Sequence, residues 1–251
     1  MNKRIFLLGG HDLEMLEIKR VLMSHGEHFV DANLDWSSAR LSAYMSVIAE
    51  EPNSEYYGIE LQEDMQLPKY YHRIDHHNDY NQHPAAILQV AELLGIAPDR
   101  NIRLVAANDA GYIPAMEAMG ATKTEIDAIR KQDRAAQGIT EEDEQLAELS
   151  ISEHIARYDG LIIVHAQTSK FSPICDRLFP YQRLLIYTDV EWTYYGEGKS
   201  KLVSMLMDDI NTKKVYHGGG DNGYIGSVRG AYTPQQIFEF QTLITQRYGR
   251  N

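Results

Sequence analysis

A chain of 251 residues holds one large domain or two modest ones, and 43% hydrophobic with 24% charged residues is the balance of a soluble globular protein. The formal charge of -12 argues against broad sequence-independent binding to duplex nucleic acid, which needs a basic face, but leaves a small phosphorylated substrate open. No apolar run approaches the roughly 20 residues that span a membrane, and a single cysteine, Cys175, excludes an internal disulfide and fits a reducing cytoplasm. Cys175 has no activating neighbour in sequence and reads as a core residue.

Lys3 to Leu8 is a short apolar run that stops at Gly9-Gly10. It is too short for a signal peptide, lacks a small-residue cleavage site, and reads as a first buried strand. Leu13, Leu16, Val21 and Leu22 place a helix over Asp12 to His25. His28 to Ala32 is a second strand. Ser37 to Glu51 reads as a helix stopped by Pro52, and Glu55 to Leu61 and Tyr70 to Asp75 as two further strands. Pro84 to Leu94 is a helix with proline at its start and Gly95 at its end. Ile102 to Ala107 is apolar and partly β-branched, and reads as a strand running into Asn108-Asp109-Ala110-Gly111. Thr122 to Gln137 and Thr140 to Arg157 read as two successive helices, with Thr140 and Asp143 as a cap and Glu141 to Glu144 as a solvated, dipole-complementing first turn. Strands resume at Leu161 to His165, Arg183 to Thr188 and Lys214 to His217, before a last helix over Pro234 to Tyr248. The alternation predicts an α/β fold: a doubly wound parallel sheet, then a second, smaller α/β domain. The expected division is 1–138, a helical linker over 139–158, and 159–251.

The chemistry concentrates in Tyr71-His72-Arg73-Ile74-Asp75-His76-His77-Asn78-Asp79. Neutral imidazole and carboxylate hold Mn²⁺, Fe²⁺ or Zn²⁺, and the C-terminal ends of parallel strands are where open α/β sheets place ligands. Three other acidic clusters follow predicted strands: His11-Asp12-Leu13-Glu14, Glu60 to Asp64, and Asp109. Converging on one sheet edge, these carboxylates repel one another unless divalent cations lie among them. The plainer alternative is that each caps a helix or sits in a solvated turn, for which Asp12 and Asp109 are well placed.

In the order of these pieces the chain resembles the DHH phosphoesterase superfamily, which includes single-strand exonucleases, oligoribonucleotide and cyclic-dinucleotide phosphodiesterases, and manganese pyrophosphatases. The name-giving triplet stands here as Asp75-His76-His77. The family's acidic D-x-D motif is matched by His11-Asp12-Leu13-Glu14, its lone strand-end Asp falls near Glu60, and its last Asp near Asp109. The glycine-rich signature of the family's C-terminal domain resembles Gly218-Gly219-Gly220-Asp221, with Arg229 and Gly230 downstream. Two departures stand out. Glutamate replaces aspartate at Glu14 and Glu60, which keeps the charge but moves the oxygens by about one C–C bond, and Asp221 replaces the histidine of the glycine-rich loop.

The resemblance implies two metal ions, Mn²⁺ first, with Mg²⁺, Co²⁺ or Fe²⁺ as substitutes. Asp12, Glu14, Glu60, Asp75, His76 and Asp109 would hold them, with His11 as a further ligand. It implies a cytoplasmic two-metal hydrolase of a nucleotide, short oligonucleotide or related phosphoester, in which Asp75, His76 and His77 are the catalytic residues and His77 touches the phosphate. Gly218, Gly219, Gly220, Arg229, Arg130 and Arg134 are the expected anion contacts. Arg130 and Arg134 also read as an exposed salt-bridged face, His83 as a helix-entry residue or substrate contact, and Trp192 to Lys199 as a base-stacking run or an ordinary strand and turn. The departures motivate an alternative, a catalytically inactive nucleotide-binding or assembly module. A homodimer is left open.

Overall fold

The structure is a computed structural model that describes residues 3–249. The chain divides into two compact units, Met1–Gly138 and Ile139–Asn251.

The first unit is built on four parallel strands: β1 (Arg4–Leu8), β2 (Phe29–Val30), β3 (Glu55–Ile59) and β4 (Tyr71–Ile74), in the order β2-β1-β3-β4. Alternate side chains of β1 point to opposite faces. Ile5 and Leu7 join a cluster with Ala39, Leu41, Tyr44, Tyr56 and Leu61. Phe6 and Leu8, on the other side, are buried as fully, so both faces of the sheet are covered. α1 (Leu13–Ser24), α3 (Ala86–Leu94), α4 (Arg100–Ala118) and α5 (Lys123–Ala136) pack against one another. The cluster around Ile5 is closed by a 3₁₀ turn at Leu41–Tyr44 and by Val47 and Ile48 of α2 (Met45–Glu50).

Two expectations for this unit change. The helix expected over Ser37 to Glu51 begins only at Leu41, because Asp35 draws the preceding residues into a turn. Its carboxylate accepts from the Ser38 N–H at 2.9 Å and the Ser37 hydroxyl at 2.7 Å. The segment Ile102 to Ala107 is helix, not strand. Asp99 caps it by accepting the Ile102 N–H at 2.8 Å, and Ile102, Val105, Ala106 and Asp109 carry the i, i+3, i+4, i+7 spacing of a buried helical stripe. Asp109 is therefore delivered by a helix.

The second unit carries a mixed six-stranded sheet, β5-β6-β7-β8-β10-β9. Its strands are β5 (Ile155–Tyr158), β6 (Leu161–His165), β7 (Arg183–Tyr187), β8 (Trp192–Gly196), β9 (Val215–Gly218) and β10 (Tyr224–Ser227). Only β6 and β7 pair in parallel; the other pairs are antiparallel. α6 (Glu141–Glu153) and α7 (Ser172–Leu178) share a core with Val164, Leu184 and Ile186. α8 (Lys199–Met205) and α10 (Pro234–Tyr248) share another with Leu161 and Ile163 of β6, Leu185 of β7 and Trp192 of β8. α9 (Met207–Asn211) lies between α8 and β9 in the chain. Thr140 and Asp143 form the expected reciprocal cap of α6. The helix stops at Glu153, however, and Ile155–Tyr158 leave it to pair antiparallel with β6. Trp192 and Tyr194 are core residues, Trp192 stacked on Phe240 at 3.8 Å. Among the described residues no helix is long and apolar enough to cross a membrane.

Candidate metal centre

The parallel register places the ends of three strands side by side. Leu8 pairs with Ile59 and Ile59 with Ile74, so the residues that follow, Gly9, Glu60 and Asp75, leave the sheet together at its C-terminal edge. Gly9 is required there. A Cβ on it would lie 2.3 Å from the Ile59 carbonyl oxygen and 2.6 Å from that of Glu60, both backbone atoms. Glu60 itself turns off the strand at φ +52°, a left-handed conformation that costs a non-glycine residue about 1 kcal/mol or more. That turn aims its carboxylate at the imidazole of His76.

His76 is the hub. Its Nε2 lies 2.6 Å from Asp109 Oδ2, 3.2 Å from Glu60 Oε1 and 3.6 Å from Glu14 Oε2. His77 Nδ1 is 3.5 Å from both Glu60 Oε1 and Asp75 Oδ1. Asp75 also accepts the His77 backbone N–H at 2.9 Å, which fixes the turn between the two imidazoles, whose ring centroids lie 4.2 Å apart. Glu60, His76, His77 and Asp109 offer ligand atoms that all lie within 4.8 Å of one another.

Glu14 and Asp12 complete the acidic wall from α1. Glu14 is buried, and its Oε1 accepts the Ile87 N–H at 3.0 Å at the start of α3, which leaves Oε2 for His76. Asp12 caps α1 by accepting the Met15 N–H at 2.9 Å. It is buried as well, and burial, reinforced by the nearby charges of Asp109, Glu60 and Asp133, pushes its carboxyl up to about 7. The helix-cap reading and the acidic-cluster reading of Asp12 thus both describe the same side chain.

The electrostatics are those of crowded carboxylates away from water. Burial raises Glu60 to about 7, helped by Glu14 and Asp109 and opposed by the hydrogen bond to His76. Burial raises Glu14 too. Burial alone would lower His76, but its carboxylate partners Asp109, Glu14 and Glu60 outweigh that and push it up to about 12. Desolvation acts to raise Asp75, but its hydrogen bonds with His77 outweigh that and hold it below the usual carboxylate range. Glu14 Oε2, both Glu60 oxygens, His76 Nε2 and Asp109 Oδ2 are all buried without a well-formed hydrogen bond. Leaving such groups unsatisfied costs several kcal/mol each. An oxygen-rich set with imidazole is the donor set of Mn²⁺, Mg²⁺ or Fe²⁺, so the residues fit divalent cations.

Neighbours position the cluster. The backbone breaks from helix at Gly111 and Tyr112 (φ +60°), two and three residues past Asp109. Arg130 of α5 donates to Asn108 Oδ1 at 2.8 Å and to Asp133 at 2.6 Å, and its guanidinium lies 4.6 Å from the Tyr112 ring centroid. Asp133 also accepts the Leu13 N–H at 3.4 Å. Arg130 and Arg134 are buried, which corrects the reading of them as an exposed face. Asn108, Asp133 and Trp36 were not singled out from sequence; Asn108 and Asp133 directly flank residues that were.

The remaining expected residues fall elsewhere. His11 is exposed and lines a cavity of about 450 Å³ with Asp35 and Trp36, outside the His76 cluster. Asp64 accepts from the Ser42 N–H and hydroxyl, at 2.9 and 2.6 Å, as a cap. His83 is exposed, with Nδ1 3.2 Å from the Asp75 carbonyl oxygen. Gly218, Gly219 and Gly220 belong to the β9–β10 hairpin of the second unit, where Lys199 donates to the Gly220 carbonyl at 2.6 Å; Arg229 is exposed in the turn after β10.

No family model and no curated protein sequence matches the chain. Among solved structures it is similar to the pGpG-specific phosphodiesterase PggH from Vibrio cholerae, with a TM-score of 0.50 at 12% identity over 98% of both chains. Exonuclease RecJ bound to manganese gives a TM-score of 0.46 at 12% identity, over 98% of this chain and 90% of that one. RecJ with Mn²⁺ from Thermus thermophilus gives 0.46 at 12% identity, over 98% of this chain and 52% of the other. The first of these likenesses carries the fold. It agrees with the α/β fold expected from the sequence.

Proposed function

We propose that this protein is a divalent-metal-dependent phosphoesterase acting on a small phosphorylated substrate, such as a nucleotide or short oligonucleotide. The observation that carries the reading is the set of buried, hydrogen-bond-starved oxygens of Glu14, Glu60 and Asp109 gathered on one imidazole nitrogen of His76. Glu60, His76 and Asp109 would hold a cation, with Asp12 and Glu14 supplying the adjoining carboxylates for a second. Mn²⁺ is the first candidate on the donor set. Divalent ions bound there polarise a phosphoryl oxygen and make water nucleophilic at neutral pH.

The chain's own groups then divide the remaining work. Asp75 orients His77 and, as its largest influence, the hydrogen bond between them raises the imidazole's proton affinity. The half-exposed His77 at the cavity wall is placed to donate a ring N–H to a phosphate oxygen or to the departing oxygen. Burial of Glu14 and Glu60 keeps water from competing for their oxygens. The exposed Arg229 and the glycine-rich hairpin remain candidates for further anion contacts, as does a cytoplasmic site of action.

The test is hydrolysis of a panel of phosphomonoesters and phosphodiesters with Mn²⁺, alongside metal analysis of the purified protein. Activity on at least one substrate, lost in both His76→Ala and Asp109→Ala, with close to two equivalents of bound metal, supports the reading. Full activity in both variants discards it.

A further inference from the structure

Trp36 is about half exposed (49%) in a chain whose other tryptophan is 1% exposed. It lies in the loop after β2, and its position is built. Asp35 gathers Ser37 and Ser38 into a hydrogen-bonded turn around it. The indole rests against the backbone of Gly10, where a Cβ would come within 2.5 Å of three ring atoms. That close approach needs glycine and fixes the ring. Its one ring neighbour among the described residues is His77, at 6.1 Å and tilted by 57°, so the two rings do not stack.

The same indole lines a cavity of about 550 Å³ with Glu60, Gln62, Asp75, His77 and Asn78, all within the first unit. The cavity therefore opens directly onto the candidate metal centre. Its carboxylates disfavour further anionic groups anywhere except at a cation. Gln62 and Asn78 each bring a carboxamide, a donor and an acceptor side by side. A ligand that fits has a phosphate at the cations and a flat, neutral, hydrogen-bonding group beside the indole.

We propose that Trp36 is the platform on which a nucleobase of the substrate stacks, so that this protein acts on nucleotides rather than on sugar or polyol phosphates. The proposal rests on the phosphoesterase reading above and names the substrate class of that site. Stacking on an exposed aromatic is tolerant of base identity and is lost on truncation to alanine with about a 5- to 100-fold drop in affinity.

The test uses the full chain with Mn²⁺ and three probes: adenosine 5′-monophosphate, guanosine 5′-monophosphate and glycerol phosphate. Trp36 supplies the solvent-sensitive part of the intrinsic fluorescence, since Trp192 is buried in the second unit's core. Both nucleotides are expected to quench it and glycerol phosphate is not. In Trp36→Phe, which keeps a stacking ring, quenching disappears while calorimetry still detects nucleotide binding. In Trp36→Ala the affinity for nucleotides falls about 5- to 100-fold more than that for glycerol phosphate. An unchanged nucleotide affinity in Trp36→Ala, or a parallel loss for all three probes, overturns the proposal. Those results leave the phosphoesterase reading standing, because that reading is decided separately, by metal binding and by hydrolysis in wild type, His76→Ala and Asp109→Ala.

Discussion

Glu60 is the residue at which stability and metal binding are set most directly against each other. Its carboxylate is buried, neither oxygen has a well-formed hydrogen bond, and burial with two neighbouring acids raises it from 4.5 to about 7. A carboxyl that holds its proton more tightly when folded contributes stability that is complete below about pH 4.5 and is lost as pH climbs through about 7. For this shift the loss between pH 5 and pH 8 is about 2–3 kcal/mol. Glu60→Gln removes the charge at every pH. His76 keeps Asp109 at 2.6 Å and Glu14 at 3.6 Å, so its own proton is still held. Measured by urea denaturation in EDTA, the variant is expected to gain about 2–3 kcal/mol relative to wild type between pH 5 and pH 8. Any constant cost of the amide cancels in that comparison. Adding Mn²⁺ should restore the advantage to wild type, since only wild type gains the full linkage from a tightly bound ion. A relative stability that stays flat with pH, or moves the opposite way, refutes the account of Glu60 as a crowded, desolvated acid.

Two more outcomes follow from the same geometry. Gly9→Ala forces a methyl group against the Ile59 and Glu60 carbonyl oxygens. The ends of β1 and β3 must separate, at a cost of about 1–3 kcal/mol, and Mn²⁺ affinity by calorimetry is expected to fall at least tenfold; wild-type affinity and melting temperature together would contradict the close-approach argument. Metal uptake should also expel protons: at pH 7, Asp12 and Glu60, each raised to about 7, are half protonated, and His76, pushed up to about 12, carries a proton. Their sum is about two protons per molecule, readable from the dependence of the binding enthalpy on buffer ionisation enthalpy, and buffer-independent enthalpies would show the apo site to be already deprotonated.

The sequence exposed the acidic and imidazole residues of the site, and misread only the element that carries Asp109. β1 and β3 are short, largely apolar runs ended by glycine or acid, and β4 runs straight into the triplet, so Asp12, Glu60 and Asp75-His76-His77 could be assigned to one sheet edge from sequence. Ile102 to Ala107 misled because its β-branched residues resemble a strand over six residues. Its periodicity shows only when Asp99 is included as the cap and Asp109 as the fourth member of the stripe. In the second unit β8 and β10 were harder still. Trp192, Thr193, Tyr194 and Tyr195 carry strand-forming residues, but the same aromatics suit a ligand surface. Only packing against Phe240 and Ile225 decides that Trp192 and Tyr194 are core.

The error at Asp109 was harmless to the site for a physical reason. A strand end and a buried helical stripe both deliver a carboxylate to a defined point, and what the chemistry needs is the point. The delivery differs in its supports. Glu60 is positioned by backbone alone, through the register with Gly9 and a left-handed turn. Asp109 is flanked on one side by Asn108, which accepts from buried Arg130, and on the other by the break at Gly111 and Tyr112. Arg130 in turn holds Asp133, which accepts the Leu13 N–H beside Asp12. One guanidinium thus ties together the supports of two acids from distant parts of the chain. A buried arginine bonded to neutral amide and acid partners stiffens the wall without neutralising the carboxylates that face His76, which leaves their charge for the cations.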